Sequence, residues 1–185
     1  LPKIRDAVAE LMAEPSPVEN APESKPEAPR QEPGVEGGPF TLGFSGRGVG
    51  GQSFSTVASR GRVILVNIFD TNCGPCQMET PDLIALYQEH KAAGLEVVMV
   101  SSESEGAVRT FAESRKIPFP VIAGGRSIIE QLRDVKPVVP ISVLLDRQGR
   151  VRQVVEGANV PVIRDAVARL LAEPAPPPAQ EEARV

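Results

Sequence analysis

One run constrains this chain more than any other: Val63-Ile64-Leu65-Val66-Asn67-Ile68-Phe69, followed at once by Asp70-Thr71-Asn72-Cys73-Gly74-Pro75-Cys76. An apolar, β-branched segment of this kind is what a strand covered on both faces requires. A helical pattern starts at the Cys-x-x-Cys, and Cys73 and Cys76 are the only two cysteines of the chain. A thiolate, not a thiol, attacks disulfides, and a free cysteine titrates near ~8.5. The unpaired N–H groups and partial positive charge of a helix N-terminus stabilise that anion. Two intervening residues place the second sulfur about one turn further on, within reach of a disulfide. Pro75 falls in the first turn, where its missing N–H costs nothing. The pattern is therefore that of a redox pair.

Two other uses of the pair fit less well. Zinc takes roughly four ligands, and His90 is the sole histidine, so carboxylates would have to complete the set. A purely structural disulfide across so short a loop removes little entropy from the unfolded chain.

The rest of the chain divides by composition. Nineteen prolines in 185 residues are too many for a compact α/β domain, and they gather outside it. Pro15–Pro39 and Pro174–Val185 are rich in proline and glutamate and lack an apolar period, the composition of semi-extended spacers. Over residues 14–36, Glu14, Glu19, Glu23, Glu27, Glu32 and Glu36 stand against only Lys25 and Arg30. The remainder is close to neutral and offers nucleic acid no electrostatic footprint. Leu1–Pro15 also repeats in Val160–Pro174: Ile4, Val8 and Leu11 match Ile163, Val167 and Leu170, each set lying on one face of a short helix. We expect residues 1–14 to be the last helix of a preceding, similar domain. The missing initiator Met agrees with a fragment or processed chain, and adjacent copies of the domain are then partners in the parent chain. Residues 15–38 are a linker, 39–173 the folded domain and 174–185 a tail. Deleting residues 1–35 should leave the melting temperature nearly unchanged.

Within 39–173 the elements alternate. Phe40–Phe54 predicts irregular strands or a hairpin. Its Gly46-Arg47-Gly48-Val49-Gly50-Gly51 has the form G-x-G-x-x-G but neither follows a buried strand nor opens a helix, so it reads as a turn. A helix is expected from about Cys73 to Lys91, kinked at Pro81, with Met78 in the core and His90 on the surface. Strand Leu95–Val100 and helix Ser104–Arg115 follow, with Ser101, Ser102 or Ser104 as cap. Capping and solvation account for Ser101-Ser102-Glu103-Ser104-Glu105 better than a metal does. Then come an extended Phe119–Ile122, a short helix Ser127–Arg133, strands Ile141–Leu145 and Val151–Glu156 joined at Asp146-Arg147-Gln148-Gly149-Arg150, and a closing helix Pro161–Ala172. This order predicts an α/β sheet with an antiparallel hairpin at one side.

Order and motif together resemble the thioredoxin superfamily, and more narrowly the TlpA/ResA-like thiol–disulfide oxidoreductases, over roughly residues 39–173. The resemblance is carried by Val66-Asn67-Ile68-Phe69, Cys73-Gly74-Pro75-Cys76, Glu79 with Pro81, and Val139-Pro140 before strand Ile141–Leu145. It implies a three-layer sandwich, a mixed sheet flanked by helices. It also implies that Cys73 is the nucleophile, Cys76 the resolving thiol, and Pro140 a proline after a cis peptide bond beside the sulfurs. Val139, Asn72, Gly74 and Pro75 would contact substrate. No cofactor is implied beyond the Cys73–Cys76 pair, and the partners would be protein disulfides or dithiols and an upstream thiol electron donor. Relatives of this branch are commonly exported by bacteria, so an extracytoplasmic place, in periplasm or envelope, is expected. No signal peptide or membrane span stands in the sequence.

The chain also departs from the pattern. Asn72 stands where many relatives have tryptophan, Phe69 replaces another, and Asn67 replaces the buried aspartate of thioredoxins. Asparagine accepts no proton. Glu79 has two readings: a desolvated carboxyl with a pKa near working pH that takes over that role, or a surface carboxylate favoured by the helix dipole. Two other functions fit the residues. A thiol peroxidase of the redoxin branch would present a Pro-x-x-x-Thr/Ser-x-x-Cys loop, for which the residues before Cys73 offer no proline. A non-catalytic tethered binding module would dock a partner at the Val139–Pro140 groove and gain avidity from repetition.

Overall fold

The computed structural model describes residues 41–132 and 138–174. The amphipathic segment 1–14, the linker 15–38 and the tail beyond Pro174 lie outside the described residues. Strand β3 (Val63–Ile68) is buried at every position and forms the middle of a five-stranded sheet ordered β5-β4-β3-β6-β7. Strands β4 (Leu95–Val100) and β5 (Val121–Ile122) run parallel to it on one side; on the other, β6 (Ile141–Leu145) runs antiparallel to β3 and β7 (Val151–Glu156) antiparallel to β6. The mixed sheet follows from the connections: helical crossovers join β3 to β4 and β4 to β5, whereas a tight turn joins β6 to β7. That turn rests on Asp146, buried at 2% exposure, whose Oδ1 accepts from the N–H groups of Gln148 and Arg150. Gly149 takes the left-handed φ of 78° that the turn needs.

Side-chain alternation splits the sheet into two apolar faces. Val63, Leu65, Val97, Met99, Val121, Leu144 and Val155 pack with helices α1 (Gly74–His90), α2 (Glu105–Ser114) and α4 (Val160–Ala172). Ile64, Val66, Ile68, Val98, Val100, Ile141, Val143 and Leu145 pack on the other side with Leu42, Phe44, Phe54, Ile128 and Leu132. This second face is covered by the hairpin β1 (Ser45–Arg47)/β2 (Ser53–Ser55), by the short helix α3 (Arg126–Ile129), and by the 3-10 turn Glu130–Leu132. The result is three layers with four helices flanking a mixed sheet. The glycine-rich segment is the tip of the β1–β2 hairpin: Gly48 N–H donates to Gln52 O and Gly51, at φ 89°, donates to Gly48 O.

Helix α1 runs through Pro81 to His90, close to the expected span. Two local expectations need correction. Met78 is 71% exposed, not in the core. Cys76, Glu79, Thr80 and Leu83 take the inward positions of α1, and at 100° per residue position 78 points away from them. Ser104 occupies the N-cap of α2 without a side-chain capping bond. Ser101 instead bonds the N–H of Glu103 and its carboxylate.

Candidate active site

Helix α1 begins where β3 ends, and Cys73 is its N-cap. The Sγ of Cys73 accepts a hydrogen bond from Cys76 N–H at 3.1 Å, so the sulfur sits at the positive end of the helix dipole. The two sulfurs are joined in a disulfide, with the Cα atoms 5.2 Å apart. Their surroundings differ. Cys73 is half-buried, flanked by exposed Asn72, Gly74 and Pro75, while Cys76 is fully buried. The Val139–Pro140 peptide bond is cis, and the Val139 carbonyl oxygen lies 3.7 Å from the Cys73 sulfur. Val139 is half-buried and Pro140 buried.

A polar cluster lies on the inward face of α1 that also carries Cys76. Glu79, three residues after Cys76 and on the same face of α1, is 2% exposed. Its Oε1 accepts from Asn67 Nδ2 at 2.7 Å, and the same Nδ2 donates to Ser142 Oγ at 3.0 Å. Burial pushes the Glu79 carboxyl up to about 7; the Asn67 bond pulls it down and the Asp82 charge adds to the rise. Glu79 is thus a buried carboxyl and not a surface carboxylate.

A second carboxylate holds the loop in front of Cys73. Glu103 accepts from Thr71 N–H at 2.7 Å, Thr71 Oγ1 at 2.8 Å and Ser101 Oγ at 3.0 Å. Burial opposes its ionisation, but these bonds outweigh it and hold the Glu103 carboxyl below the usual range. Neighbouring Asp70 is raised by burial and then by the Glu103 charge. Asp70 O accepts from Cys73 N–H and Thr71 O from Gln77 Nε2, which closes the loop onto α1. Phe69, in place of an aromatic of another kind, stacks tilted on Phe111 at 4.9 Å. His90 ends α1 half-buried, 3.6 Å from the Glu89 carboxylate. Among the described residues no group of three or more His, Cys, Asp or Glu side chains converges as a metal site would require.

The sequence profile of the AhpC/TSA family matches residues 39–154. The chain belongs to the AhpC/TSA family. It is 31% identical over 99 residues to the thiol-disulfide oxidoreductase ResA of Geobacillus kaustophilus, covering 53% of this chain and 56% of that one. To ResA of Bacillus subtilis it is 33% identical over 99 residues, covering 53% and 55%. The chain thus spans a little over half the length of these relatives. Among solved structures it resembles a thiol:disulfide interchange protein of the thioredoxin family from Chlorobium tepidum, with TM-score 0.66 and 25% identity over 74% of this chain and 99% of that one. It also resembles StoA from Bacillus subtilis, with TM-score 0.58 and 20% identity over 68% and 96%. The fold is the thioredoxin-like one.

In this AhpC/TSA domain Cys73, Cys76, Glu79, Val139 and Pro140 come together around one disulfide, with Asn72, Gly74 and Pro75 on its rim. Ser142 has no part in the sequence reading, and Glu103 figures there only in a capping and solvated segment. A signal for Glu103 existed: β3 and β4 are parallel neighbours, so the segments after their carboxyl ends lie side by side, and Glu103 follows β4 as Cys73 follows β3.

Proposed function

We propose that this domain is a thiol–disulfide oxidoreductase acting on protein disulfides or dithiols through Cys73 and Cys76. The supporting observation is the asymmetric disulfide: one sulfur half-buried at a helix N-terminus beside the Val139 carbonyl, the other fully buried. In the reducing direction the Cys73 thiolate attacks one sulfur of a substrate disulfide, and a mixed disulfide forms as the first substrate thiolate leaves and takes a proton. Cys76 gives its proton to Glu79, attacks Cys73 Sγ, and releases the second substrate thiol. Two electrons pass to the substrate and the enzyme is left oxidised, to be restored by an upstream thiol donor. Run in reverse, the same steps oxidise a dithiol. The Val139 carbonyl, on a half-buried residue, suits pairing with an extended substrate segment. Together with Asn72, Gly74 and Pro75 it forms the contact surface for that segment.

An extracytoplasmic place accords with the proline-rich acidic spacers, and adjacent copies of the domain accord with the 1–15/160–174 repeat. Among the described residues no helix is long and apolar enough to cross a membrane. Cys73→Ser should abolish reduction of insulin disulfides, and Cys76→Ser should accumulate mixed disulfides with substrate. Full activity in Cys73→Ser would sink the assignment. Peroxide consumption that depends on Cys73 and outpaces disulfide reduction would move the domain to the peroxidase class.

A further inference from the structure

We propose that Asn67 is a positioning residue for exchange: its amide, pinned by Ser142, holds the Glu79 carboxyl in register to take the Cys76 proton. The inference rests on the reading of Glu79 as proton acceptor. An asparagine amide has two N–H hydrogens, and both are used, one on Glu79 Oε1 and one on Ser142 Oγ. Asn67 and Ser142 are register partners across β3 and β6, so the backbone ladder fixes the distance between them. All three side chains are at most 2% exposed, and water does not compete for the bonds. Two acceptors on two elements thus lock the amide in one orientation, with its donor edge toward the carboxyl.

The consequence is chemical. A donor to an ionised carboxylate makes a bond roughly twice as strong as a donor to a neutral group, so Asn67 favours the form of Glu79 that can accept a proton. Burial alone favours the form that cannot. Glu79 Oε2 and Asn67 Oδ1 are buried with no protein partner among the described residues, which leaves Oε2 as the oxygen able to take up and release the proton. Aspartate at position 67 would place a second acid against the first and compete for that proton. Asparagine takes none and only directs it.

Few other groups can set this titration. The residues that β4 and α4 contribute to the apolar cluster around Cys76 (Leu95, Val97, Met99, Ile163, Ala166, Val167 and Leu170) are uncharged. Arg164 on α4 is engaged with Glu89. The charged group acting on Glu79 is Asp82 in its own helix, and Cys76 becomes the remaining titratable neighbour once reduced.

The test follows the Glu79 carboxyl by its ¹³C shift against pH in the wild type, Asn67→Leu and Ser142→Ala. The pH profile of insulin-disulfide reduction with dithiothreitol as donor is measured on the same proteins. Asn67→Leu should raise the Glu79 midpoint by at least about one pH unit, a tenfold fall in the ratio of carboxylate to carboxylic acid, with the rate profile moving in parallel. Ser142→Ala removes only the Oγ, and should shift both in the same direction by about two- to threefold. In an Glu79→Gln background Asn67→Leu should move the profile no further, the signature of two residues acting as one unit. An unmoved carboxyl in folded Ser142→Ala and Asn67→Leu overturns the inference. A moved carboxyl with an unmoved rate profile overturns instead the reading of Glu79 as proton acceptor.

Discussion

Replacing Glu79 by glutamine isolates what it costs the fold to bury a carboxyl. In the folded protein this group titrates at about 7, against an ordinary value of 4.5, chiefly because it is buried. Below pH 4.5 both folded and unfolded chains carry the proton, and the carboxyl contributes no pH dependence. Between 4.5 and about 7 the unfolded chain releases the proton while the folded chain keeps it. The folded state then binds more protons, and stability falls as pH rises. Above about 7 both states are ionised and the full penalty is present. At 1.36 kcal/mol per pH unit, that interval amounts to about 3 kcal/mol. The assay is urea denaturation of wild type and Glu79→Gln between pH 4 and 8.5, with the disulfide kept oxidised in both. The stability of Glu79→Gln relative to wild type should climb by about 3 kcal/mol across that range. With a urea slope of about 2 kcal/mol per molar, the two midpoints should separate by more than about 1 M. Two curves that stay parallel from pH 4 to 8.5 would refute the argument that burial governs this carboxyl.

Two further predictions concern the frame around the site. Glu103→Ala removes the acceptor of three hydrogen bonds from Thr71 and Ser101. It should cost about 2 kcal/mol and speed hydrogen exchange at the Thr71 amide far more than at β3; uniform acceleration would show that the clamp is not local. Arg147 donates to the carbonyls of Leu170, Leu171 and Glu173 at the end of α4. Arg147→Ala should cost about 2 kcal/mol in urea denaturation, as a cation lost from a partly buried helix C-terminus does. Arg147→Lys should recover about half, because it keeps the charge and loses the planar fork.

The fold was legible where periodicity and punctuation agree. β3, β4, β6 and β7 follow from apolar runs bounded by turns, and the β6–β7 hairpin from Asp146 and Gly149. The cysteine pair was legible because strand, spacing and helix start coincide. Glu79 was not settled by sequence, since a carboxylate early in a helix suits the dipole as well as a buried site. Its fate depends on which face of α1 meets β3. Met78 failed for the same reason in reverse: an apolar residue beside the motif suggests a core position, but the helical phase set by Cys76 and Leu83 turns it outward. Asn67 was seen as a lost proton acceptor, while its donor role needs Ser142 on a strand 75 residues away. Glu103 was absorbed into a capping reading because its partner Thr71 is 32 residues distant. Contacts across the sheet leave no trace in local pattern.

The fastening of α4 has a mechanical consequence. The end of this helix is held by Arg147 and by Arg152, whose guanidinium pairs with Glu173 at 2.9 Å, and both arginines belong to the β6–β7 hairpin. Arg147 O in turn accepts from Gly61 N–H, just ahead of β3. A tension applied at Glu173 therefore enters the sheet through these polar ties.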